Sequence, residues 1–353
     1  MKKIILINII VSYFIFSVVI IFSPLLIDLI KSGQSVLPFN DQRSELPNYE
    51  NISWANKHFL EFSELNTRYH EHIGWRRNDF NGDTITIKNG YRMNNKNENF
   101  TLNKDIWMFG GSTTWGTGSD DKNTIPALIE NLTNVSTLNL GETGYNTTQE
   151  LNLFLKEFVK HKPKIIIFYD GVNDVGKCMK DLKYFSTGQE NVINSKLISR
   201  PYFENLLIAP LKILEKVTNS FQNNQNTTHI YDCDTNISKA ENIAKIFVNN
   251  WMSIKLIAEE NNIKFIPVLQ PTIFTSTSNK DYLSSETKSF RKEQYEILYE
   301  LIKKELNKRN FEYLNLENSL NKEENYFIDF CHLSPDGNMK IAREIVTSKF
   351  FKN

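Results

Sequence analysis

Four short stretches of this chain carry the residue types of acyl transfer. Ser112 follows two glycines in Gly110-Gly-Ser-Thr-Thr-Trp-Gly116, at the end of the apolar run Ile106 to Phe109. A serine hydroxyl is a weak nucleophile and needs a base, normally a histidine oriented by a carboxylate. Asp329-Phe-Cys-His332, near the other end of the chain, holds both. Asp329 is spaced to reach the far imidazole nitrogen of His332, fix its tautomer and stabilise the imidazolium. The tetrahedral intermediate then needs donors aimed at its oxyanion. The candidates are the backbone N–H groups of Ser112 and Gly144 and the side-chain amide of Asn173. They lie in the first stretch, in Asn139-Leu-Gly-Glu-Thr-Gly-Tyr145 and in Asp170-Gly-Val-Asn-Asp174. Taken singly, each stretch has a plainer reading: a turn, relief of strand–helix crowding, or a helix cap beside a surface histidine. All four occur in order, each after a strand or before the closing helix, and that favours catalysis.

Other chemistries fit less well. Gly111-Ser-Thr-Thr-Trp-Gly116 has the glycine spacing of a phosphate-binding loop, but Thr117-Gly118 stands where a lysine and a hydroxyl residue should follow. His70-Glu-His72 reads as two exposed loop histidines rather than a metal pair. With 41 basic and 41 acidic side chains, the chain has no strong field to attract nucleic acid. Its three cysteines, Cys178, Cys233 and Cys331, are too few for a disulfide scaffold and lack zinc spacing.

The elements that position these residues follow from periodicity. Strands are expected at Ile106–Phe109, Ser136–Leu140, Lys164–Tyr169, Lys264–Leu269 and Phe311–Leu316. Helices are expected at Thr124–Leu132, Thr148–Lys160, Lys239–Asn261, Lys288–Asn307 and Pro335–Phe350, with Thr147 and Glu150 as a capping box for the second. Such alternation predicts an α/β fold with a parallel sheet covered on both faces. Upstream, Ile52 to Arg68 has helical spacing, and Thr84 to Lys88 followed by Asn89-Gly90 reads as a hairpin. Residues 176–236 interrupt the alternation and are expected to form a partly ordered lid beside the site, with an apolar patch at Leu206–Leu214 that reads as a buried helix face. Cys178 and Cys233 bracket it; an oxidising compartment would permit a bridge, though two separate thiols are the favoured expectation.

At the amino end, Ile4 to Ile27 contains no charged side chain. That is enough to cross a bilayer as a helix, and no small-residue cleavage site follows. Residues 4–30 are therefore read as an uncleaved anchor and 1–3 as a cytoplasmic tip. Lys2 and Lys3 against Lys31 place the tip in the cytoplasm and the large domain outside, in the periplasm or beyond the cell. Residues 31–104 are a linker and lead-in; 105–353 form the main domain.

The four stretches resemble the sequence blocks of the SGNH-hydrolase (GDSL-esterase) superfamily, over about Asp105 to Phe350. Gly74-Trp-Arg76 and Asn89-Gly-Tyr-Arg92 are similar to the lead-in of its bacterial membrane-anchored members. The resemblance implies a flavodoxin-like three-layer α/β/α sandwich with five parallel strands ordered 2-1-3-4-5, and no metal or cofactor. It implies Ser112, Asp329 and His332 as triad, with Ser112, Gly144 and Asn173 as oxyanion hole. One departure is Gly111, where the family pattern has aspartate. The expected function is hydrolysis of an acyl or acetyl ester on a small molecule, glycan or envelope component. An O-acyltransferase of envelope polysaccharide using the same triad is one alternative. A non-catalytic envelope-polysaccharide binding or assembly protein is the other.

Overall fold

The structure, a computed structural model, describes residues 7–9, 11–19, 41–184, 187, 189–190, 192–193, 230–320 and 323–352. The chain divides into two compact units, residues 1–39 with 191–229 and residues 40–190 with 230–353. In the first unit residues 7–9 and 11–19 are helical. The rest of the expected span 4–30 lies outside the described residues, and no helix among those described is long and apolar enough to cross a membrane. Most of the expected lid, with the Leu206–Leu214 patch, also lies outside them.

The second unit is built on five parallel strands: β6 (Ile106–Gly110), β7 (Thr137–Asn139), β8 (Ile165–Asp170), β9 (Lys264–Leu269) and β10 (Leu314–Asn315). Their order across the sheet is β10-β9-β8-β6-β7, every neighbouring pair parallel. Counted within the sheet, this is the order 2-1-3-4-5. Ile106, Trp107, Met108 and Phe109 are all fully buried, as a strand covered on both faces requires. Alternate residues sort to opposite sides. Ile106, Met108, Ile167 and Ile266 join a core with Ile125, Ile129, Ile341 and Ile345. Phe109, from the other face, stacks on Phe168 at 4.5 Å and meets Phe154 edge-on. Helices therefore cover both sides: Ile125–Thr133 and Pro335–Thr347 pack together on one, and Ile237–Glu260 packs against Thr147–Phe158 and Lys292–Lys308 on the other.

Helix starts follow ordinary capping. Ser334 accepts from Gly337 N and is followed by Pro335 in the first turn, where the missing N–H costs nothing. The expected capping box of Thr147 and Glu150 does not form. Asn146 is the cap, accepting from Thr148 N at 3.2 Å, because Thr147 and Glu150 turn inward and are buried. The last strand is shorter than expected: Leu314 and Asn315 pair with Val268 and Leu269, while Phe311 packs its ring near Trp251.

Ahead of the sheet, the lead-in forms helix Ala55–Glu64, the antiparallel pair β1 (Thr67–His70) and β2 (Gly74–Arg77), and a three-stranded sheet of β3 (Phe80–Asn81), β4 (Thr86–Lys88) and β5 (Tyr91–Arg92). The expected hairpin is there, with Asn89 at φ 54° and Gly90 at φ 79°, the left-handed pair its turn requires. Cys178 and Cys233 are joined as a disulfide, against the expectation of separate thiols. The cause is local: Met179 and Tyr231 form an antiparallel bridge, so the two ends of the insertion run side by side.

Candidate active site

Strand β6 delivers Ser112. Gly110 has φ +154°, and a Cβ there would stand 2.1 Å from Thr114 Oγ1 and 2.8 Å from the Tyr169 carbonyl. Only glycine fits the turn that lets Ser112 open a short helix above the carboxyl end of the sheet. His332 arrives from the loop before the last helix. Its Nε2 lies 2.7 Å from Ser112 Oγ, and its Nδ1 lies 2.6 Å from Asp329 Oδ2. The hydroxyl and the imidazole, 220 residues apart in sequence, thus meet on one rim with the carboxylate behind them.

Asp329 is held ionised. Burial alone would raise its carboxyl, but the His332 ring and the N–H groups of Cys331 and His332 outweigh that and hold it well below the usual carboxylate range. Those two amides donate to Oδ1 at 3.0 and 2.9 Å, while Oδ2 faces the imidazole. Cys331 lies beside the ring with Sγ 3.7 Å from Nδ1. Burial, then the Asp329 charge, pushes its thiol well up, so it stays protonated and is no rival nucleophile. Asp329, Cys331 and His332 also bring one potential metal-ligand atom each within 4.8 Å of one another. Both imidazole nitrogens are already bonded and the thiol is neutral, so this trio is better matched to proton transfer than to a cation. His70 Nε2 contacts Lys156 Nζ at 2.7 Å, and among the described residues neither His70 nor His72 is part of that group.

The expected oxyanion donors have the following surroundings. Asn173, after β8, donates from Nδ2 to the Tyr145 carbonyl at 2.6 Å; a primary amide has a second N–H to spend. Gly111 explains the departure from aspartate at this position. A Cβ on Gly111 would lie 2.1 Å from Asn173 Nδ2, so the Asn173 amide occupies the space a side chain would need. Gly144 adopts φ +80° and its carbonyl accepts from Gln189 Nε2 at 2.9 Å. The Ser112 N–H stands in the first turn of its helix, where no intrahelical acceptor exists.

Several supporting residues were given no role by sequence reading, although Glu142, Arg92 and Asp174 stand within stretches already quoted. Glu142 is buried within the second stretch and accepts from Arg77 N at 3.3 Å and Arg77 Nε at 3.2 Å. Arg92, also buried, donates to the carbonyls of Gly116 and Ser119 and pairs with Asp121 at 3.1 Å. The lead-in thus braces the loops that follow Ser112 and Asn139. Asp174 accepts from Thr147 N at 3.2 Å and Thr147 Oγ1 at 3.0 Å and pairs with buried Lys177 at 2.7 Å. Glu150 lines the same small cavity as Asn173 and Asp170, and its carboxyl is pushed well up by burial, then by the Asp170 and Asp174 charges. Asp170 keeps the Trp251 indole N–H at 2.7 Å. Arg43, from the start of the lead-in, donates to Asp329 Oδ2 at 3.3 Å. A long sequence separation hides contacts of this kind.

Comparison with known proteins agrees on the family. The model of the GDSL-like lipase/acylhydrolase family matches residues 106–345. No curated protein matches the chain. Among solved structures, a carbohydrate acetylesterase family member from Sinorhizobium meliloti is 15% identical with TM-score 0.37, covering 71% of this chain and 100% of its own. A GDSL-like lipase from Bacteroides thetaiotaomicron is 14% identical with TM-score 0.38, over 70% of this chain and 88% of its own. The acetyl xylan esterase AlAXEase is 13% identical with TM-score 0.40, over 69% and 98%. At such identities the likeness does not extend to substrate.

Proposed function

Because the chain belongs to the GDSL-like lipase/acylhydrolase family, we propose that it is a serine esterase, anchored in the membrane and facing away from the cytoplasm, that removes acetyl or another short acyl group from a glycan or envelope component. The observation that carries this reading is the unbroken line Ser112 Oγ, His332 Nε2, His332 Nδ1 and Asp329 Oδ2, with links of 2.7 and 2.6 Å. Ser112 attacks the ester carbonyl as His332 takes its proton, and the Asp329 carboxylate stabilises the imidazolium. The Ser112 and Gly144 N–H groups and the second Asn173 amide hydrogen receive the oxyanion. His332 returns its proton to the departing alcohol, and an activated water releases the acid.

Location rests on other grounds. The uncharged stretch Ile4 to Ile27 behind Lys2 and Lys3 supports an anchor with the domain outside. The Cys178–Cys233 disulfide supports an oxidising compartment. A glycan substrate is favoured by that location alone, and the assembled proton line weighs against a silent binding protein. The test is hydrolysis of an activated acetate ester and labelling by a fluorophosphonate. The parent is expected to do both and Ser112→Ala neither; equal rates in the two proteins overturn the reading.

A further inference from the structure

The lead-in does more than brace loops: its first turn reaches the acid of the triad. Arg43 Nη1 donates to Asp329 Oδ2 at 3.3 Å, and that same oxygen lies 2.6 Å from His332 Nδ1. Arg43 is in turn gripped by Asp41, whose Oδ1 accepts from Arg43 N and Nε, each at 3.0 Å, and whose Oδ2 accepts from Nη2 at 2.8 Å. Phe59 supports the guanidinium, with its ring centroid 4.8 Å from Cζ. The segment is fastened to the loop carrying Asp329. Asn48 Nδ2 donates to the Phe327 carbonyl at 2.9 Å, and Tyr49 and Phe59 pack with Ile328, the residue before Asp329.

A line of alternating charge therefore runs from Asp41 through Arg43 and Asp329 to the imidazole. We propose that Asp41 and Arg43 are positioning residues that set how readily His332 takes the Ser112 proton. Arg43 draws on the charge of the oxygen that must stabilise the imidazolium, and a cation nearby disfavours a second one. Asp41 offsets that cation. Removing Arg43 should make His332 more basic; removing the Asp41 charge should make it less so. No purely structural role predicts opposite signs for two residues of one ion pair.

Among the described residues, three other titratable groups near this line of charge are raised. Cys331 on the same loop, Tyr49 on the lead-in and Tyr295 on helix Lys292–Lys308 are all pushed up by burial, and Ser112 is the hydrogen-bond partner itself. Among the described residues, the charged groups whose contacts lead to the ring are Asp41, Arg43 and Asp329.

The inference rests on the serine-esterase reading, and its test separates the two. The rate of fluorophosphonate labelling of the full-length protein is measured against pH; its acid limb reports His332 in the free enzyme. For Arg43→Gln the limb is expected to move to higher pH by about half a unit or more, and Arg43→Lys to stay near the parent. For Asp41→Asn the limb is expected to move to lower pH. Limbs that stay with the parent, or move in the same direction for Arg43→Gln and Asp41→Asn, overturn the inference. If Arg43→Gln does not fold, the direction for Asp41→Asn decides. A parent that is not labelled at all overturns the esterase reading, and this inference with it.

Discussion

Ser112 depends on how little room its neighbours leave one another. The Asn173 amide lies where a side chain on Gly111 would begin, so the two positions act as one unit. Asn173→Ala should lower kcat by roughly 10²–10³-fold, the usual cost of one oxyanion donor. Gly111→Ala, which pushes the amide aside, should approach that loss. The double variant should be no worse than Asn173→Ala alone; additive losses in steady-state kinetics would mean that Gly111 acts elsewhere. Glu150 gives a second prediction at this scale. Its folded carboxyl is pushed well above the ordinary value of 4.5, so that contribution to stability is complete below that pH and is lost as pH rises through the folded value. Glu150→Gln cannot ionise. Its stability relative to the parent should therefore increase with pH, by at most about 1.4 kcal/mol per unit, in denaturant melts between pH 4 and pH 8. A difference that is flat with pH would refute it.

The strands and helices of the sheet were readable because their periodicity is strong and their burial two-sided: Lys264–Leu269 was placed to the residue, and all five helices to within about four residues at each end. Edge strand Leu314–Asn315 was overestimated because one neighbour supports only a short ladder. The capping box failed for a different reason. A Thr and a Glu at the right spacing were claimed by tertiary partners, Thr147 by Asp174 and Glu150 by the interior. The types and order of Ser112, Asp329 and His332 pointed to residues that the fold brings into contact, whereas nothing local marks Arg43, Arg92 or Glu142 as partners of distant loops. Arg92 shows what such a brace is worth. Arg92→Met leaves the Gly116 and Ser119 carbonyls without the Arg92 donor and the Asp121 carboxylate without its cation, with the Thr86 N–H still bonded to it. Breaking a buried pair on one side typically costs about 3–5 kcal/mol, a loss to be read from the denaturant midpoint. A change below about 1 kcal/mol would show that the methionine repacks the site.

For the molecule as a whole, the disulfide determines how the insertion leaves the domain. Cys178 and Cys233, 55 residues apart, close a long loop; on the chain-entropy model their loss should cost roughly 4 kcal/mol. Cys178→Ser with Cys233→Ser should lower the melting temperature, while the rate per folded molecule on a small acetate ester stays near the parent because neither sulfur belongs to the proton line. A melting temperature unchanged by reduction of the parent would refute that. The same separation in sequence that hid Arg43 has a consequence in time. A ribosome makes the hydroxyl of residue 112 long before the imidazole of residue 332 and its paired carboxylate exist. On the proposed esterase reading, the growing polypeptide holds a nucleophile without its base until the tail folds home.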